Sequence, residues 1–324
     1  MVQIRLLTLA LCAVATLSAT PFFVAGDLVW SSQGALRLFE MTPGVTNPNA
    51  SSLSSVADVG GFQAGQIAFS ADGQTAYVTS FGTGSVKAIS STGEVSTFAT
   101  GIDTPTGIVR TSSGRILTAD YSSGNIYDIT SGGDFAGTTP YATGLVNPRN
   151  FVATADGVLV IDQTAGKVVN IGNGGNLANA GAFAYGLSTP ISIAYFSGRT
   201  FVANGDDFKI YEITGGGNMT GRTAFAAGRE FLGLAATETS LYASTAYNSA
   251  TTSIFNITSG GNFGGQNAAF FNLPGGGDSL FGAVPNAAPV APPLPSNPSE
   301  VPEPGTSGLL GLALLAGVRK LSTR

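Results

Sequence analysis

The sequence predicts an all-β protein: a six-bladed β-propeller of four-stranded blades, closed by one C-terminal strand beside three N-terminal strands, with an N-terminal signal helix and a C-terminal short membrane helix. Three observations predict it. The chain repeats with a period near 42 residues, a glycine-rich turn recurs at a fixed place in each period, and the two ends carry complementary incomplete units.

Five units are complete, beginning at Gly65, Thr106, Arg149, Ile191 and Phe231. Each reads as four short apolar runs separated by turns. In the first unit the runs are 66–70, 75–80, 85–90 and 95–99, broken by Asp72-Gly73, by Gly82 and Gly84, and by Gly93. The most regular marker lies between the third and fourth runs: ITSGGDF from Ile129, IGNGGNL from Ile171, ITGGGNM from Ile213 and ITSGGNF from Ile257, spaced by 42, 42 and 44 residues. Gly and Asn tolerate positive φ, so a tight turn explains the recurrence.

The N-terminal stretches 27–32, 35–42 and 52–59 supply second, third and fourth strands but no first, whereas GGDSLFGAVPNA at 276–287 matches the first-strand pattern EFLGLAATETS that starts at Glu230. Pairing the two ends closes a ring and removes the open sheet edges that invite aggregation. An open β-sandwich or a five-bladed ring is the competing architecture.

Composition agrees with an exported β protein. The 324 residues include 45 Gly, only 10% are charged, and 9% are aromatic. Arg5 precedes an apolar run at 6–19, and Val24-Ala25-Gly26 forms a small-residue exit before Asp27, so residues 1–26 read as a signal peptide. The propeller then occupies 27–286, a linker 287–304, and a sorting helix with a basic tail 305–324. The sole cysteine, Cys12, falls in the leader, and histidine is absent. Disulfides, thiolate metal sites, cysteine nucleophiles and histidine acid–base chemistry are therefore excluded from the exported part. Four of the 14 basic residues lie in the targeting ends, which leaves the exported part ten cations against 19 anions. Nucleic acid is a poor partner for such a surface.

The last residues form an address. Val301, Pro302, Glu303 and Pro304 precede fourteen uncharged residues at 305–318, and Arg319, Lys320 and Arg324 follow as a basic stop. At 1.5 Å per residue the run covers roughly 21 Å, short of the ~30 Å hydrocarbon core. Eight prolines between Val284 and Pro304 make the preceding stretch an extended spacer. This tail resembles the PEP-CTERM tail of Gram-negative bacteria. The resemblance implies an exosortase-type processing enzyme as partner, membrane tethering before processing, delivery to the cell surface or extracellular matrix, and an exopolysaccharide or biofilm setting in which a polysaccharide or surface protein is the natural partner.

The second run of each unit ends at a comparable position: Ser80, Asp120, Asp162, Asn204 and Thr245. The stretches ILTADYSSGNIYDI and VLVIDQTAGKVVNI resemble NHL repeats and, more distantly, the gluconolactonase propellers. That likeness implies a divalent cation at the axial mouth, with Asp120, Asp162 and Asn204 as oxygen ligands suited to calcium. The competing role for these side chains is capping of the following turn. First-strand positions Gln66, Thr106, Asn150 and Ser192 stand where lactonases carry a Glu, and no general base accompanies the candidates, so no cofactor and no catalytic residue are expected. Trp30, Tyr77, Tyr121, Tyr127, Tyr195 and Tyr242 fit either sugar stacking or the packing between blades. The chain thus reads as an exported binding or scaffolding propeller, with a metal-dependent lactonase as the alternative.

Overall fold

The computed structural model describes residues 23–32, 37–42, 54–58, 64–245, 251–265, 271–274 and 281–283. By internal contacts the chain divides into Met1–Ala288 and Pro289–Arg324, and all described residues belong to the first unit.

β1 (Leu28–Ser32), β2 (Arg37–Met41) and β3 (Ser54–Asp58) form an antiparallel meander. Five blades follow, each founded on one continuous stretch, though a short strand from each of the last four pairs into the blade before. The first holds β4 (Ala64–Phe69), β5 (Thr75–Ser80), β6 (Ser85–Ser90) and β7 (Val95–Thr100). The second holds β8 (Pro105–Arg110), β9 (Ile116–Asp120) and β10 (Asn125–Asp128), then β11 (Gly133–Asp134), which pairs back to the first blade, and β12 (Ala142–Thr143). The third runs through β13 (Pro148–Thr154), β14 (Gly157–Asp162), β15 (Lys167–Asn170), β16 (Gly175–Asn176) and β17 (Ala182–Tyr185). The fourth is β18 (Pro190–Phe196), β19 (Arg199–Asn204), β20 (Lys209–Glu212), β21 (Gly217–Asn218) and β22 (Ala226–Ala227). The fifth is β23 (Phe231–Ala236), β24 (Leu241–Thr245), β25 (Thr251–Asn256), β26 (Gly261–Asn262) and β27 (Phe271–Pro274). Last, β28 (Phe281–Ala283) pairs antiparallel with β1, Val29 opposite Gly282, and touches β23 and β4.

The expectation of six four-stranded blades flanked by helices is corrected on three counts. Five blades, not six, are built from continuous chain, because only five segments carry a full set of strands; the remaining sheet, β28-β1-β2-β3, is assembled from the two ends. Four of the five blades have five strands rather than four. Among the described residues there is no helix, and none long and apolar enough to cross a membrane. The signal-helix positions before Phe23 and the whole tail, with Val301 to Pro304, Arg319, Lys320 and Arg324, lie outside the described residues.

The fifth strand explains the glycine-rich marker. In each case its Gly-Asn or Gly-Asp dipeptide leaves its own blade and pairs in parallel with the outer strand of the blade before it: Gly133 with Ala99, Gly175 with Ala142, Gly217 with Ala184, Gly261 with Ala226. Backbone bonds close each seam, such as Leu177 N to Thr143 O at 2.8 Å and Met219 N to Tyr185 O at 2.8 Å. The Asn or Asp then caps the turn, as Asn218 Oδ1 accepts from Thr220 N at 3.0 Å. Gly186, at φ 77°, seats that cap: a Cβ there would collide with Asn218 Oδ1 and Thr220 Oγ1. The recurrent turn is therefore also a stitch between neighbouring blades.

The apolar core is layered between sheets instead of gathered at one centre. One cluster joins Leu117 and Ile126 of the second blade to Phe151 and Val160 of the third, another joins Leu159 and Val168 to Ile193 and Val202, and a third joins Phe201 to Phe231 and Phe255. Strands packed on both faces read as unbroken apolar runs, and β9, Ile116–Asp120, is buried at every residue.

Candidate functional site

Each blade's first strand lies at the axis and slips its register against the second near its start, between Ala64 and Ile67, Pro105 and Ile108, Pro148 and Phe151, Pro190 and Ser192, and Phe231 and Gly233. Three of these strands open on proline, which has no N–H to donate and so suits a ladder's first residue. Bulges re-aim the side chains that follow them. Aligned on the bulge, one station reads Gln66, Gly107, Asn150, Ser192, Gly233. Gln66 reaches across to the first strands of the next two blades, accepting from Ile108 N at 3.2 Å and from Phe151 N at 2.9 Å. Ser192 Oγ accepts from Leu234 N at 3.0 Å. Gly107 has no room for more, since a Cβ would strike Arg149 O. Asn150 is 2% exposed and its Oδ1 has no hydrogen-bond partner.

Beyond Gln66 the axis opens into a cavity of about 610 Å³, a size typical of small-molecule sites. Its walls are apolar, from Ile67, Ile108, Phe151, Ile193 and Leu234, and its polar groups are Gln66, Ser70, Ser112, Tyr195 and Arg110. Among the described residues Arg110 is the one charged side chain of the lining. The nearby Asp72 carboxyl is held below its ordinary value, first by the Ser70 hydroxyl and the Gln74 amide and more weakly by the Arg110 charge. A second, more polar groove of about 580 Å³ runs between the second and third blades and shares Ser112 and Ala153 with the first.

The second-strand ends Asp120, Asp162 and Asn204 are placed away from the cavity lining, each in a different blade and each bound to the loop that feeds its own blade. Asp120 Oδ1 accepts from Thr104 N and Ser122 N, both at 3.2 Å. Asp162 Oδ1 accepts from Val146 N at 3.1 Å and Asn147 N at 2.9 Å, and Asn204 Oδ1 from Ser188 N at 3.0 Å and Thr189 N at 3.1 Å. Asp162 is fully buried; its Oδ2 takes no hydrogen bond and faces Lys167 Nζ at 3.8 Å, which offsets the charge. Asn204 also donates to Asp207, whose other oxygen accepts from Tyr211 Oη at 2.6 Å; burial and that carboxylate push the Tyr211 phenol up to about 12. Among the described residues no group of three or more acids is arranged to hold a metal ion. The geometry makes these residues latches between loop and strand.

Of the aromatic candidates, Tyr77 stacks on Phe98 at 4.7 Å between centroids, Tyr127 meets Phe135 at 6.3 Å, and Tyr242 is buried. Tyr121 donates to Gln163 at 3.1 Å, and only Tyr195 lines the axial cavity; the Trp30 side chain is outside the description. Sequence reasoning missed Arg110. The signal was present: two places after Ile67 and its counterparts the units read Phe69, Arg110, Ala153, Tyr195, Ala236, with a single cation.

Comparison with known proteins fits this layout. Residues 300–321 match the PEP-CTERM protein-sorting motif, which marks the chain as exported across the inner membrane and held at the envelope before exosortase processing. No curated protein matches the chain. Among solved structures it is similar to a chain of the nidogen/laminin complex, at 14% identity and a TM-score of 0.60 over 81% of this chain and 99% of that one. A protein of unknown function from Bacteroides caccae matches at 13% identity and 0.51, over 81% and 99%. A gluconolactonase from Xanthomonas campestris matches at 13% and 0.49, over 74% and 84%. At such identities the first two show the fold alone: the class is a β-propeller carrying a PEP-CTERM tail.

Proposed function

We propose that this chain is an exported binding or scaffolding propeller that displays its axial cavity at the cell surface, with an extracellular polysaccharide or another surface protein as partner. Residues 305–324 tether it to the membrane until an exosortase acts at the Pro302-Glu303-Pro304 motif. The observation that carries the reading is the cavity itself, which joins apolar walls to a few convergent polar groups and, among the described residues, is lined by no carboxylate. Asp120, Asp162 and Asn204 support it by their engagement with backbone amides, which a bound cation would have to displace.

The test is capture of extracellular polymer by the exported chain, compared with an Ala236→Trp variant that fills the cavity. Retention by the native chain and loss by the variant is the expected result. Turnover of a lactone that depends on a divalent cation and disappears in Asp162→Asn, which keeps the amide acceptor, would replace this reading with a hydrolase.

A further inference from the structure

We infer that the axial cavity selects a small organic monoanion with an apolar body, its anionic head received by Arg110. The inference rests on the reading of the propeller as a binding module and names the ligand class of that same site.

Arg110 ends β8, where the other four blades present Phe69, Ala153, Tyr195 and Ala236. The repeat does not require a cation there, so packing alone does not account for one. Other described arginines are engaged: Arg115 with Asp128 at 3.6 Å, Arg199 with Glu212, Arg222 Nε with Asn218 O at 3.2 Å, and Arg229 Nε with Phe263 O at 3.1 Å. Arg110 has no hydrogen bond and no ion pair within 4 Å among the described residues. Asp72 acts on it only at longer range, its carboxylate already bonded to Ser70 Oγ at 2.6 Å and Gln74 N at 3.1 Å.

A guanidinium with free donors, in a lining that also holds Ile108, Phe151 and Leu234, is a fork for a carboxylate or sulfonate. Charge-assisted bonds of this kind are stronger than bonds between neutral groups. One cation matches one negative charge, which favours a monoanion over a phosphate dianion, and among the described residues no acid lines the cavity, Asp72 acting on Arg110 from outside it. The apolar walls call for an apolar body, and Ser112 and Tyr195 offer hydroxyls to its polar edge.

The experiment compares 2-naphthoate with its uncharged counterpart 2-naphthamide, binding to the full chain in lipid nanodiscs. The acid binds about tenfold tighter than the amide, and the preference shrinks as salt is raised. Arg110→Gln, at an unchanged melting temperature, makes the two probes equal, whereas Arg110→Lys keeps part of the preference. Equal affinities in the native chain, an acid preference that survives Arg110→Gln, or failure to bind either probe overturns the inference. Polymer capture by the same preparation reads the proposed function separately, so a chain that captures polymer without preferring the acid loses this inference alone.

Discussion

Gln66 and Phe151, on first strands two blades apart, hold each other through a pair of hydrogen bonds: Phe151 N donates to Gln66 Oε1 at 2.9 Å, and Gln66 Nε2 donates to Phe151 O at 2.6 Å. Because Oε1 also accepts Ile108 N, one side chain ties three strands together and forms the floor of the axial cavity. Gln66→Ala strands three backbone groups and should cost about 2–3 kcal/mol. In a domain of this size that lowers the melting temperature by roughly 4–12 °C, and a variant melting within a degree of the native protein would refute the tie.

The seams between blades yield a paired test. Gly186→Ala places a Cβ against Asn218 and Thr220 of the next blade at a positive φ, whereas Gly217→Ala meets nothing within 4 Å at φ 89°. The second change carries only the backbone penalty of about 1–2 kcal/mol. The first adds displacement of the stitch, for a total of roughly 3–4 kcal/mol. Equal losses in urea denaturation would show that the stitch bears no stability.

Phe208 occupies a turn position where the preceding blades carry Gly84, Gly124 and Gly166 with φ of 59°, 73° and 60°; its own φ is 56° and it is 47% exposed. A bulky residue in the left-handed region is strained, and its ring buries too little to compensate. Phe208→Gly should stabilise the fold by about 1 kcal/mol, read as a higher midpoint in urea. A lower midpoint would mean that the ring contributes more than its conformation costs.

Acid titration should expose Glu40. It is 7% exposed, and burial raises its carboxyl above the ordinary value, with the Phe23 and Val24 amides opposing and the Asp27 charge adding. A raised folded value means the protonated form is favoured, so stability is full below the unfolded value near 4.5 and is lost as pH rises through the folded one. Asp27, also raised by burial, acts in the same sense. Glu40→Gln keeps the acceptor for Val24 N and removes the charge. Its melting temperature should exceed the native one at pH ~7 and converge on it near pH ~4. A constant offset across that range would rule out ionisation as the cause.

Phe23 is 4% exposed and packs edge-on against Phe69 at 5.5 Å, in one cluster with Val29, Leu38 and Ile67. Cleavage of the leader after Gly26 would strip this ring from the core, a loss of about 3–4 kcal/mol for a buried Phe. The exported chain is therefore expected to begin at or before Phe23. Its N-terminal residue, read by intact mass, decides the point, and a start at Asp27 would contradict it.

Much of this molecule was readable in one dimension. The 42-residue period, the glycine-punctuated strands, and the match between residues near 280 and those near 230 all record local backbone requirements, which act through neighbours in sequence. The Pro-Glu-Pro address was equally plain, since a sorting signal must be recognised as a linear segment. The Gly-Gly-Asn marker was found for half of its role: its turn geometry is local, but its parallel pairing, as of Gly217 with Ala184, joins strands 33 residues apart.

Tertiary structure alone decided which residues share the axis. Asp120, Asp162 and Asn204 were open to two roles, cation ligand or turn cap, and the fold shows one oxygen of each accepting from loop amides. Gln66 and Arg110 carried no motif; their roles depend on five first strands meeting side by side, a relation among distant segments that no local pattern encodes. The sequence by itself determined strands, turns and destination, because those follow from short-range sterics and hydrophobic periodicity. Folding decided the number of strands per blade, the stitches between blades and the placing of Arg110 in the lining of the axial cavity, because these arise only where separate repeats come into contact.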